Sequence, residues 1–189
     1  SLANEAHTVY AKVSKGNPTV RLKNLTDATA TTSITTDGTV KYVDLGVTDI
    51  VSVSEVKLGS SSGADISHLF TLDNGQRSGF YGLGRMVLET GATAPSGNVY
   101  VKFKHFTHGT GDFFSVTSYS GQVDYEDIPT FQTGVNTSVN LRDVIDFRNS
   151  VNASNAFVAA SSTEIPTNGD TVQADIEYYL PRTDKIVVS

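Results

Sequence analysis

Apolar and polar residues alternate with a period of two along much of the chain, the pattern of strands with one buried face. Val9, Ala11 and Val13 share one face. After a Lys15-Gly16-Asn17-Pro18 turn, Val20 and Leu22 continue on a second strand, so a hairpin is expected there. Asp37-Gly38 is a turn pair before the strand that opens with Val40 and Tyr42. Between Ile50 and Leu58 the phase changes: Val51 and Val53 have one parity, Val56 and Leu58 the other. A bulge within that strand accounts for the switch. Asn98 to Phe106 is the clearest strand, with Val99, Val101 and Phe103 facing one way and Tyr100, Lys102 and Lys104 the other. Further strands are expected around Leu69–Leu72, Met86–Leu88, Phe114–Val116, Val123–Tyr125, Ile176–Leu180 and Ile186–Val188. Only Leu141 to Arg148 departs from the pattern. There Leu141, Val144, Ile145 and Arg148 fall at helical spacing, which predicts a helical turn or two.

About ten short strands without a βαβ rhythm predict a mainly β fold, an antiparallel β-sandwich with at most one or two short helices. Residues 1–109 read as the sandwich domain. Residues 110–189 read as a second β-rich, loop-rich part that completes the same sandwich or stands beside it, the division falling at Gly109-Thr110-Gly111. Composition agrees. Val, Ile and Thr make up 53 of 189 residues and Leu only 11, a bias toward pleated surfaces and against helical bundles. The chain begins Ser1-Leu2-Ala3-Asn4 and ends in a strand-like run, which reads as a fragment of a longer protein.

The absence of Cys excludes disulfides, thiolate metal sites and Cys nucleophiles. A net charge of −6 argues against a surface that neutralises many phosphates, so no nucleic-acid partner is expected. Lys102 and Lys104, the best basic patch, read as a solvated strand face. No apolar run is long enough for a membrane-spanning helix, and no membrane partner is expected. His105 and His108 form the only close His pair. Their odd spacing on a strand puts the rings on opposite faces, so no metal or other cofactor is assigned. Asp124, Glu126 and Asp127 lack the spacing of a calcium loop and read as a solvated acidic turn. Neither a nucleophile elbow nor a phosphate loop is present, and no residue is assigned a catalytic role.

Two segments are denser in hydrogen-bonding groups. In Leu72-Asp73-Asn74-Gly75-Gln76-Arg77, followed by Phe80-Tyr81, the Asp-Asn-Gly sequence is a turn, with Arg77 and Tyr81 as candidate interaction anchors. In Leu141 to Arg148, Arg142 would pair with Asp146 on a helix, or Asp143 with Arg148. Either pairing reads as a structural clamp.

These segments carry a resemblance. Thr71 to Arg77 with Phe80-Tyr81 and Gly84-Arg85, then Leu141 to Arg148, then Asp175 to Ile186 resemble, in the same order, blocks of large virion structural proteins of T4-like marine phages. Those are tail- or baseplate-type proteins of unassigned function. The chain departs from that pattern at Ser78, Gly82, Asn149 and Thr183. The resemblance implies a structural, non-enzymatic virion component that meets other virion proteins, or copies of itself. Tyr178, Tyr179 and Arg182 join Arg77 and Tyr81 as candidate contact residues. Two rival readings use other residues. A carbohydrate-binding sandwich would present Tyr119 and Tyr125 beside Asp124 and Glu126. A β-fold hydrolase would bring Asp124, Glu126, Asp143 and Asp146 to one cleft, with at least one raised carboxyl pKa.

Overall fold

The computed structural model describes residues 17–158 and Thr171. The hairpin strand at Val9–Val13, the late strands, and Tyr178, Tyr179 and Arg182 lie outside the described residues.

The described chain is mainly β, with two packed sheets. The first has three antiparallel strands: β1 (Lys23–Thr32) and β4 (Ile50–Leu58) flank β8 (Val99–His108). The second has four strands in the order β2 (Thr35–Asp37), β3 (Val40–Thr48), β7 (Leu83–Leu88) and β5 (Phe70–Asp73). Between the sheets, Val43, Leu45, Phe70 and Met86 of the second meet Ile50, Val56, Val99, Val101 and Phe103 of the first. Each large apolar side chain removed from water in this way contributes about 1.5–3 kcal/mol before entropy is counted. This is the antiparallel sandwich expected from the alternation, and the described residues form eleven strands.

Two local expectations meet the structure directly. The phase switch within β4 is a pair of irregularities in its register against β8, between Ile50 and Ser52 and between Val53 and Glu55. Asp37-Gly38 forms the β2–β3 hairpin, with Asp37 opposite Val40 and Gly38 in the left-handed region.

Leu141 to Arg148 is not the expected helix. Only Leu141–Asp143 makes a 3₁₀ turn, and Val144 is already extended. Phe114 forms a bridge with Asp146, exchanging backbone hydrogen bonds at 2.8 Å in both directions. These external partners for the backbone override the helical spacing of the side chains. The helical content of the described residues is otherwise three more one-turn 3₁₀ segments, at Ser67–Leu69, Val116–Tyr119 and Tyr125–Asp127.

Beyond Gly109 the chain folds back over the outer face of the three-stranded sheet. Phe106 of β8 packs there with Tyr119, Ile128 and Leu141, and Leu25 and Val51 border the same cluster. Central strand β8 is thus buried on one face from Val99 to Phe103 and on the other at Phe106. Two short strands complete this cover: β11 (Asn149–Ser150) runs parallel to β6 (Phe80–Tyr81). A β9–β10 hairpin (Thr130–Gly134 and Thr137–Asn140) stands out from it, with Val135 fully exposed at its tip.

Candidate functional site

The outer-face cover encloses a cluster of charged and polar side chains. Lys23 opens β1 directly opposite His108 at the end of β8, so their side chains share a face. Asp49 is the single residue between β3 and β4, where the chain passes from one sheet to the other. Its φ of 57° lies in the left-handed region, which Asp tolerates better than most residues. The Asp49 carbonyl accepts from the Phe106 amide at 3.0 Å, which pins this corner to β8.

The Lys23 ammonium donates to Asp49 Oδ2 at 2.6 Å, and the two side chains are 0% and 1% exposed. Aromatic rings surround it, with the Tyr81, Phe114, Tyr119 and Phe106 centroids at 4.4, 4.6, 4.9 and 5.6 Å from Nζ. The Asp49 carboxylate has further partners: His108 Nε2 lies 2.8 Å from Oδ2, and Gln76 Nε2 donates to Oδ1 at 3.3 Å. The Tyr81 hydroxyl accepts from Lys23 Nζ at 3.1 Å and from Arg148 Nη2 at 3.1 Å, and donates to Asp146 Oδ2 at 2.5 Å. Arg148 completes the chain with a bidentate grip on Asp146, Nε to Oδ1 at 2.9 Å and Nη2 to Oδ2 at 2.7 Å. It also reaches the Arg77 carbonyl at 2.9 Å.

Burial sets the protonation behaviour. It lowers the Lys23 pKa, against the opposing pull of Asp49. It pushes the Asp49 carboxyl up, but the Lys23 charge and the His108 hydrogen bond outweigh it and hold the group down at about 2. The His108 pKa falls below 6.5 because burial penalises the imidazolium, so the neutral ring with its proton on Nε2 suits the bond to Asp49. Burial raises the Tyr81 phenol well above its ordinary range, reinforced by the Asp49 and Asp146 charges. Burial also opposes ionisation of Asp146, yet hydrogen bonds from Arg148 and Tyr81 keep its pKa below the usual carboxylate value.

The turn at Asp73 to Arg77 delivers Gln76 to this cluster. Asp73 Oδ1 accepts from the Gly75 amide at 3.0 Å, and Asn74 Oδ1 accepts from the Gln76 amide at 3.0 Å. Gly75 has φ 82°, and a Cβ there would sit 2.2 Å from the Gly82 carbonyl oxygen, so only glycine fits. Arg77 closes the turn with two bonds to Asp73, at 2.8 and 2.6 Å.

Several expected site residues therefore come together, with partners other than those expected. Tyr81, Asp146 and Arg148 form the inner clamp, while Asp73, Asn74 and Arg77 form the turn beside it. The expected pairings of Arg142 with Asp146 and of Asp143 with Arg148 do not occur, because without the helix Asp146 and Arg148 face each other two residues apart. Arg142 instead stacks on Tyr125 at 4.9 Å, with Nε 4.0 Å from Asp143 Oδ2. Tyr119 is 2% exposed and belongs to the aromatic cage, so it offers no platform beside the exposed Tyr125. Asp146, the acid of the hydrolase reading that is buried, has a lowered pKa rather than a raised one. His105 and His108 lie on opposite faces as expected, His105 against Phe103 and His108 against Tyr81 and Phe114. Among the described residues no group of three His, Asp or Glu is placed to hold a metal ion. None of their helices is long and apolar enough to cross a membrane.

Lys23 and Asp49 carry no signal of their own in the sequence, while Gln76 lies in the dense turn segment and His108 in the close His pair without either pointing to a shared cluster. Lys23 sits among alternating positions like any solvated strand residue, and Asp49 is one of several acids near turns. A lone Lys on the parity shared by Leu25, opposite the His108 and Phe106 end of a strand, is the signal that was available.

No family model matches the chain, and neither curated proteins nor solved structures give a match.

Proposed function

We propose that this chain is a structural, non-enzymatic module of a phage virion, of the tail or baseplate type, that holds a rigid β-sandwich in contact with other virion proteins. The observation that supports this reading best is the use made of two of the resemblance blocks. Tyr81 from the first meets Asp146 and Arg148 from the second, and their charges and hydroxyls bond to one another inside the protein. Groups that an enzyme would turn toward a substrate are consumed here in holding the residues beyond Gly109 onto the sheet. A buried charge network of this kind serves to fix one arrangement of elements. A particle that must keep its geometry benefits from such a part.

The test is to purify particles from cultures carrying the gene and follow this chain by quantitative mass spectrometry across a density gradient. Co-banding with infectious particles at a constant copy number is expected. Recovery only in the slow-sedimenting soluble fraction contradicts the reading.

A further inference from the structure

We propose that Lys23 and Asp49 condense spontaneously into an intramolecular amide, a covalent cross-link from β1 to the corner between β3 and β4. The inference stands on the cluster's geometry and does not depend on the virion assignment.

The reacting groups are already in contact, with Nζ 2.6 Å from Oδ2, and both side chains are sealed from solvent. Holding an amine against a carboxyl in this way replaces a bimolecular encounter by a unimolecular step. Burial favours the uncharged forms of both groups, and the ion pair differs from the neutral pair by one proton moved from Nζ to Oδ2. The amine lone pair of Lys23 then attacks Cγ of Asp49. The C–N bond forms, the Cγ–Oδ2 bond breaks, and Oδ2 leaves as water. The nitrogen gives up one proton in the process, so an ammonium and a carboxylate become one amide and one water with no change of oxidation state.

Each atom that changes charge has a neighbour suited to it. Oδ1, which carries negative charge in the tetrahedral intermediate and becomes the amide oxygen, accepts from Gln76 Nε2 at 3.3 Å. Oδ2, the leaving oxygen, accepts a hydrogen bond from His108 Nε2–H at 2.8 Å, and the neutral ring keeps its proton. The second proton lost by Nζ passes, like the first, to Oδ2 at 2.6 Å, so the water leaves with both protons from Nζ and no other group changes charge, while the Tyr81 hydroxyl, 3.1 Å from Nζ, holds the amine in place. The rings of Tyr81, Phe106, Phe114 and Tyr119 keep bulk water from the product, which favours condensation over hydrolysis. The cross-link joins residues 26 positions apart and reaches across β8 from β1 to the corner that leads into β4.

The experiment is intact-mass spectrometry of the folded 189-residue chain, measured after denaturation, with a tryptic map. The expected mass is lower than the sequence mass by one water. Trypsin should fail to cleave after Lys23, leaving residues 22–41 joined to residues 42–57 as one branched peptide. Lys23→Met should restore the full mass. The proposal is overturned if the native protein, after prolonged incubation, retains its full mass and yields separate peptides. It is equally overturned if the water deficit persists in Lys23→Met, since a cyclised aspartate would then explain it. The primary reading is made on the unsubstituted protein, so it does not depend on how well the variant folds.

Discussion

Lys23–Asp49 and Lys57–Glu55 are ion pairs with the same N–O separation, 2.6 Å. The first has side chains 0% and 1% exposed, the second 26% and 31%. In the second, water screens both charges and either can rotate away, as Lys102 shows by sharing Glu55 at 3.6 Å. In the first, neither charge has an alternative to its partners. Distance alone says little about what an ion pair does; the surroundings decide whether it decorates a strand or determines how the chain beyond Gly109 is held.

The largest effect is therefore expected at the sealed pair. Lys23→Met strands the Asp49 carboxylate in an apolar cage, and loss of one partner from a buried pair costs about 3–5 kcal/mol. Urea denaturation measures this directly, and any covalent link adds to the difference. Next comes Tyr81→Phe, which removes the hydroxyl shared by Lys23, Arg148 and Asp146. Unsatisfied buried groups of this kind cost about 1–3 kcal/mol, read by the same denaturation curves.

Acidification probes the cluster without substitution. Both relevant groups have folded-state pKa values below their ordinary ones, so the unfolded chain binds protons first and stability falls with pH. His108 contributes fully above pH 6.5, and its contribution declines as pH drops below that value. Asp49 contributes above 3.8, and its share is lost as pH falls toward about 2. Unfolding free energies measured from pH 8 downward should decline in that order. A condensed Lys23–Asp49 pair removes the second stage and leaves the first.

The smallest effects belong to the exposed pairs. Arg77→Ala leaves the Asp73 turn with its backbone bonds and should cost about 0–1 kcal/mol, the range for partly exposed pairs. Glu55→Gln should leave the thermal midpoint unchanged in a calorimetric scan.

The sandwich was legible because strand alternation is local. Val99, Val101 and Phe103 declare the buried face of β8, and Val51 against Val56 declares the irregularity in β4. The conformation of Leu141 to Arg148 is not legible in the sequence, because its side-chain spacing is helical while its backbone bonds to Phe114, a partner no local pattern reveals. The cluster was half legible. Tyr81, Asp146 and Arg148 stand out as large hydrogen-bonding residues in dense segments, but their pairing follows from the extended backbone at Asp146 to Arg148, which the local spacing does not show. Lys23 and Asp49 did not stand out, because burial of the outer face of β8 at Phe106 and His108 comes from residues after 110, far along the chain.

The most direct test of the sealed cluster is amine acetylation of the native protein, mapped residue by residue. Lys57 and Lys102 should react while Lys23 stays unmodified for as long as the fold persists. Acetylation of Lys23 in the folded protein at the rate of Lys57 would contradict the account, since it would place that ammonium in water.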